Sequence, residues 1–95
     1  CRIELGEIEH VARSFDNEEL AVVALPLYDG DNNCFIHIVI ETATLNDEEG
    51  LMNHFKKLRP HYMIPAKVHA VAKFPLNISN KIDRKQLLER IKNEK

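Results

Sequence analysis

The sequence predicts an α+β fold, a small sheet of about three strands packed with about three helices in a single compact domain. Three observations lead there. Apolar residues recur at helical spacing in three separate segments. Two strand-length apolar segments flank a loop made only of Asp, Gly and Asn, and a third alternating segment follows the middle helix. Prolines and turn formers fall between these segments or at their ends. With 95 residues and 44% hydrophobic content, the chain can build one modest core and no more.

Residues 2–5 are short and read as extended. From Gly6 the spacing changes, because Ile8, Val11, Ala12 and Phe15 form one helical stripe, with Glu7 and Glu9 where the helix dipole favours negative charge. Asp16, Asn17 and Glu18 end that helix. Residues 20–27, apolar and β-branched and closed by Pro26, predict a buried strand. Residues 29–33 predict a turn and residues 34–41 a second strand, paired with the first as an antiparallel hairpin. Cys34, Ile36, Ile38 and Ile40 share one face of it, and Phe35, His37 and Val39 the other. Asn46 followed by Glu49 reads as a capping box before the stripe Leu51, Met52, Phe55 and Leu58. Pro60 stops that helix. Alternation of Val68, Ala70, Ala72 and Phe74 predicts a third strand ended by Pro75. A last helix starts at Asp83, with Gln86 completing a second capping box and Leu87, Leu88 and Ile91 as the buried stripe.

Composition narrows the chemistry. A net charge of −2 and strands without an aromatic stacking face argue against a nucleic-acid partner. No apolar run is long enough to span a membrane, and no signal peptide is recognisable, so a cytoplasmic setting with reduced thiols is expected for Cys1 and Cys34. The two cysteines lack CxxC spacing and the five histidines are scattered, so no metal site is expected. The chain starts on Cys1 inside an already patterned segment, which reads as a piece of a longer polypeptide.

Three segments are not explained by core packing. RIELGEIE (2–9) alternates charges around Gly6, a residue able to supply a backbone shape that side chains with a Cβ resist. PHYMIP (60–65) brackets an aromatic and two apolar residues between prolines. On composition alone it is a rigid connector with Tyr62 and Met63 in the core. In SNKIDRKQL (79–87), Asn80 tolerates a left-handed conformation, so a tight turn would push Lys81 outward ahead of a helix capped by Asp83. A turn-mounted lysine is a mobile point charge suited to phosphate or carboxylate. No glycine-rich P-loop precedes it, and no triad or paired carboxylate accompanies it.

RIELGEIE, PHYMIP and NKIDRKQL, in this order and at these separations, resemble the C-terminal subdomain of the adenylate-forming enzymes. The likeness is strongest to amino-acid adenylation domains of nonribosomal peptide synthetases, with D-alanine–carrier-protein ligases as near relatives. Asp83 between Ile82 and Arg84 looks like the amino-acid-activating branch rather than the acyl-CoA synthetases. The chain departs from the usual pattern in two places. Ile78-Ser79-Asn80 stands where Pro-Asn-Gly is usual, and Arg59 stands where leucine is usual.

The resemblance implies that residues 1–95 are a mobile C-terminal lid whose large N-terminal subdomain and hinge lie upstream. It implies that Lys81 is the lysine used in forming the aminoacyl-adenylate. It further implies that, after rotation of the lid, Gly6 and Glu7 line the channel for the phosphopantetheine thiol of a peptidyl carrier protein. ATP and Mg2+ would be held mainly by the N-terminal subdomain, along with the amino-acid substrate, so the isolated chain is expected to be inactive. The alternative reading is a non-catalytic ferredoxin-like binding or regulatory module, which the order helix–strand–strand–helix–strand also suits.

Overall fold

The structure is a computed structural model that describes residues 3–15 and 20–93. Its centre is β2 (Cys34–Glu41), which pairs antiparallel with β1 (Val22–Tyr28) and parallel with β3 (Lys67–Val71), giving the order β1-β2-β3. The β1–β2 loop is tight because the Asp29 carboxylate accepts the backbone N–H groups of Asp31 and Asn33, both at 2.9 Å, while Asn32 takes a positive φ of 63°. The parallel β2–β3 pair needs a crossover, which α2 (Glu48–Leu58) supplies. With α1 (Leu5–Phe15) and α3 (Arg84–Lys92), this is the three-helix, three-strand α+β arrangement the sequence predicts.

The strand alternation divides the core in two. Val22, Ala24, Ile36, Ile38, Ile40 and Val68 face α1 and α2, where Ile8, Val11, Leu51 and Phe55 are buried. Val23, Leu25, Val39 and Val71 face α3 and pack against Leu87 and Ile91. The sheet is therefore covered on both sides, by two helices on one face and one on the other. Pro26 fits within β1 because β1 is an edge strand. The Ala24 N–H already points off the sheet to Glu9, and period two sends the Pro26 nitrogen the same way, so no ladder hydrogen bond is lost.

Several local expectations change. The extended segment at residues 2–5 is not formed among the described residues: the Glu4 carbonyl already accepts from Glu7 and Ile8 (3.1 and 3.3 Å), and the helix starts at Leu5. The predicted helix end at residues 16–18 lies outside the described residues. The cap of α2 is Asp47, one residue later than the Asn46 box. Its Oδ1 accepts the Gly50 N–H at 3.0 Å, and a Cβ on Gly50 would clash with Asp47 Oδ2. The third strand stops at Val71. Phe74 lies on the α3 side, away from Val68, because the chain turns there and its N–H is taken by Glu41 Oε2 at 2.6 Å. Cys34 is disulfide-bonded, which corrects the expected reduced thiol, since compartment arguments say nothing of what a fold brings within bonding distance. Cys1 lies outside the described residues.

His37 and His69 meet across β2 and β3 on the α3 side, with His37 Nδ1 2.9 Å from His69 Nε2 and the rings stacked. Burial, then the charges of His69 and Lys67, hold the His37 imidazole below its ordinary 6.5. The unfolded chain therefore binds this proton more readily than the folded one. The contribution to stability is full above 6.5 and is lost as pH falls below it toward the lower folded value. Thermal melts of the domain at about pH 7.5 and 5.5 should show this acid sensitivity, and His37→Gln should reduce it. An unchanged difference between the two melts would rule out the histidine as its source.

Candidate functional site

Lys81 stands on a short loop closed at its base by two contacts. Leu76 and Ile82 form an antiparallel bridge, and the Asp83 N–H donates to the Pro75 carbonyl at 2.8 Å. Inside the loop every hydrogen bond runs through Asn77. Its carbonyl accepts from Asn80 N–H (2.9 Å) and its own N–H donates to the Lys81 carbonyl (2.8 Å). Its Oδ1 accepts from the N–H groups of Ser79 (2.8 Å) and Lys81 (3.1 Å). Asn80 completes the turn at φ 63°, a conformation that asparagine tolerates better than most residues with a Cβ. Asp83 then caps α3, its Oδ1 accepting the Gln86 N–H at 3.0 Å. Lys81 is exposed, and its ammonium has no partner among the described residues. The result is a fixed backbone carrying a free cation, suited to an anion that arrives from outside the chain.

Gly6 lies in the first turn of α1. It has no positive φ, and a Cβ built on it would meet nothing within 4 Å. The expectation that Gly6 supplies a backbone shape closed to other residues is thus corrected, since nothing among the described residues requires glycine there. Glu7 beside it forms an ion pair with Arg59, Nε to Oε1 2.9 Å, without the alignment of a hydrogen bond. Arg59 is held in place as the cap of α2. Its N–H bonds the Phe55 carbonyl, Nη1 bonds the Leu58 carbonyl, and Pro60 keeps it extended.

Glu9, only 13% exposed at its side chain, takes both the Ala24 N–H (2.9 Å) and Arg84 Nη1 (3.2 Å) through Oε2. It therefore covers a free edge group of β1 and ties α1 to the first residue of α3. The three segments singled out in the sequence meet through α1: Glu7 reaches Arg59 beside PHYMIP, and Glu9 reaches Arg84 behind Lys81. No hydrogen bond or ion pair among the described residues joins Lys81 to Gly6 or Glu7 directly. In PHYMIP, Met63 and Pro65 are buried, whereas Tyr62 is 68% exposed, so Tyr62 is not the core residue expected.

Sequence reasoning missed Asn77, Glu9 and the Arg59 pairing. An asparagine two residues before Ser79 is a signal for an Asx turn that could have revealed the first. The ion pairs span tens of residues and leave no local mark.

Among the described residues, no three His, Cys, Asp or Glu side chains converge as metal ligands. A cavity of about 60 Å³ between α1, α2 and the sheet, lined by Ala12, Phe15, Val22 and Leu51 among others, does not include the Lys81 loop. It is far smaller than the several hundred Å³ of an ordinary small-molecule site.

The chain resembles known proteins along nearly all its length. It is 34% identical over 86 residues to tyrocidine synthase 3 of Brevibacillus parabrevis, which covers 90% of this chain and 1% of that protein. It is 33% identical over 88 residues to the L-allo-isoleucine:holo-[CmaA peptidyl-carrier protein] ligase of Pseudomonas savastanoi pv. glycinea, covering 90% of this chain and 15% of the ligase. The crystal structure of holo-AB3403, a four-domain nonribosomal peptide synthetase bound to AMP and glycine, matches with a TM-score of 0.76 and 33% identity, over 88% of this chain and 6% of the other. No protein-family model matches. The chain thus spans a small fraction of each of these proteins. The likeness in sequence and in fold places this chain among the adenylate-forming enzymes, as the C-terminal subdomain of an adenylation domain of the nonribosomal peptide synthetase type.

Proposed function

We propose that this chain is the mobile lid of an ATP-dependent amino-acid-activating enzyme, working against a large N-terminal subdomain in the same polypeptide. The observation that carries this reading is the exposed Lys81, whose ammonium has no partner among the described residues, on a loop whose Lys81 backbone N–H and carbonyl are both bonded by Asn77. In the first step Lys81 bridges the amino-acid carboxylate and the α-phosphate of ATP, offsetting the negative charge that builds at phosphorus as pyrophosphate leaves. ATP, Mg2+ and the amino acid are held mainly by the N-terminal subdomain. Support for the nucleotide comes from the solved relative that binds AMP and glycine.

In the second step the lid rotates, Lys81 leaves, and the first turn of α1 faces the reacting centre. The open surface over Gly6 and the Glu7 carboxylate turned aside by Arg59 leave room for a phosphopantetheine arm of a peptidyl carrier protein. A ligase named for a holo-peptidyl-carrier protein is among the similar sequences. No helix among the described residues is long and apolar enough to cross a membrane.

The experiment is a pair of half-reaction assays on the full-length enzyme carrying Lys81→Ala. Amino-acid-dependent ATP–pyrophosphate exchange reports the first step, and thioester formation from supplied aminoacyl-adenylate reports the second. Loss of the first alone is expected, and normal exchange overturns the assignment. The 95-residue chain by itself should make no adenylate from any amino acid supplied with ATP and Mg2+. Adenylate detected by mass spectrometry in that mixture would contradict the division of labour proposed.

A further inference from the structure

The loop that carries Lys81 has one organising residue, Asn77. Asn77 bonds both backbone groups of Lys81: its N–H donates to the Lys81 carbonyl at 2.8 Å, and its Oδ1 accepts the Lys81 N–H at 3.1 Å. The same Oδ1 accepts from Ser79 (2.8 Å), and the Asn77 carbonyl accepts from Asn80 (2.9 Å). Ser79, Asn80 and Lys81 thus all donate their N–H groups to Asn77. Ile78 is the exception and stands fully exposed at the tip. No proline stiffens this turn, and no glycine sits at its left-handed position. The rigidity that a proline would supply through a fixed φ is here supplied by a side-chain amide.

We infer that Asn77 is the positioning residue for Lys81, holding its backbone so that the ammonium enters the N-terminal subdomain in one orientation. The inference rests on the reading of Lys81 given above. The physical basis is that a cation stabilises a developing charge only if it is placed in advance, because reorganising it in the transition state forfeits the gain. Lys81 has four rotatable side-chain bonds and no side-chain partner among the described residues, so its placement depends on its backbone. Asn77→Ala removes the acceptor for two N–H groups. Both are exposed and can turn to water, so the loop loosens without leaving buried unpaired groups. The loss should therefore appear in catalysis rather than in folding.

The test uses the full-length enzyme, a panel of the common amino acids with ATP for exchange, and pantetheine as the acceptor thiol for supplied adenylate. Asn77→Ala should lower kcat of ATP–pyrophosphate exchange by about ten- to a hundredfold, the range for a misplaced catalytic group, with KM for ATP near the unmutated value. Thiol transfer should hold. Asn77→Asp keeps an oxygen at the same position and should recover most of the lost kcat. Exchange unchanged in Asn77→Ala overturns the inference. So does an equal fall in both half-reactions, or an Asn77→Asp variant no better than Asn77→Ala. Lys81→Ala run in parallel separates the two levels. If it leaves exchange normal, the reading of Lys81 fails. If it abolishes exchange while Asn77→Ala does not, only the role of Asn77 fails.

Discussion

Lys81→Ala in the full-length enzyme is expected to cut ATP–pyrophosphate exchange more than about a hundredfold, because removing one preorganised charge-stabilising donor costs on the order of 3 kcal/mol. On the proposed mechanism the closing lid carries the cation into a site shielded from water, where its charge would be more effective than in solvent. Folding should be untouched. The Lys81 side chain is exposed and has no partner among the described residues, and exposed substitutions of this kind usually shift stability by no more than about 0.5 kcal/mol. The loop itself should keep its shape, since its bonds use the Lys81 backbone and the Asn77 amide. The variant is thus a clean probe, with a lost first half-reaction, a preserved second and an unchanged melting temperature. Exchange within a few-fold of normal would remove Lys81 from the chemistry.

Phe55→Ala should act in the opposite way, through the fold. Phe55 is fully buried and packs from α2 into the cluster of Ile8, Ile38 and Met63. Truncating such a residue typically costs about 3–5 kcal/mol, from lost transfer energy and the cavity left behind. A domain of this size often has only about 5–10 kcal/mol in hand, so the substitution brings it near unfolding. Both half-reactions should fall together, and the domain's melting temperature should drop by more than about 10 °C. Phe55→Leu, which leaves a smaller void, should be milder. Loss of one half-reaction with a normal melt would show that Phe55 has a role beyond the core.

These two variants separate the parts of the molecule that local patterning reveals from those it hides. The helical stripes of α1 and α2, the hairpin and the cap at Asp83 are legible because each depends on neighbours within a few residues. Errors fall where another group competes. The Glu4 carbonyl draws residue 5 into a helix, Glu41 takes the Phe74 N–H and ends β3 early, and Asp47 displaces Asn46 as the cap of α2. Gly6 shows the same limit in reverse. A glycine invites a backbone explanation, yet its φ is ordinary and the space around it is open among the described residues.

Local order in the chain was enough to specify an α+β domain and to set Lys81 apart, since turn formers, a cap and hydrophobic period act over a few residues. Tertiary structure alone decided that β3 runs parallel to β2, that α3 covers the face opposite α1 and α2, and that Glu7 and Glu9 bind Arg59 and Arg84. The reason is separation. Ion pairs spanning 52 and 75 positions depend on where the sheet places its helices, and no periodicity in the intervening residues records them.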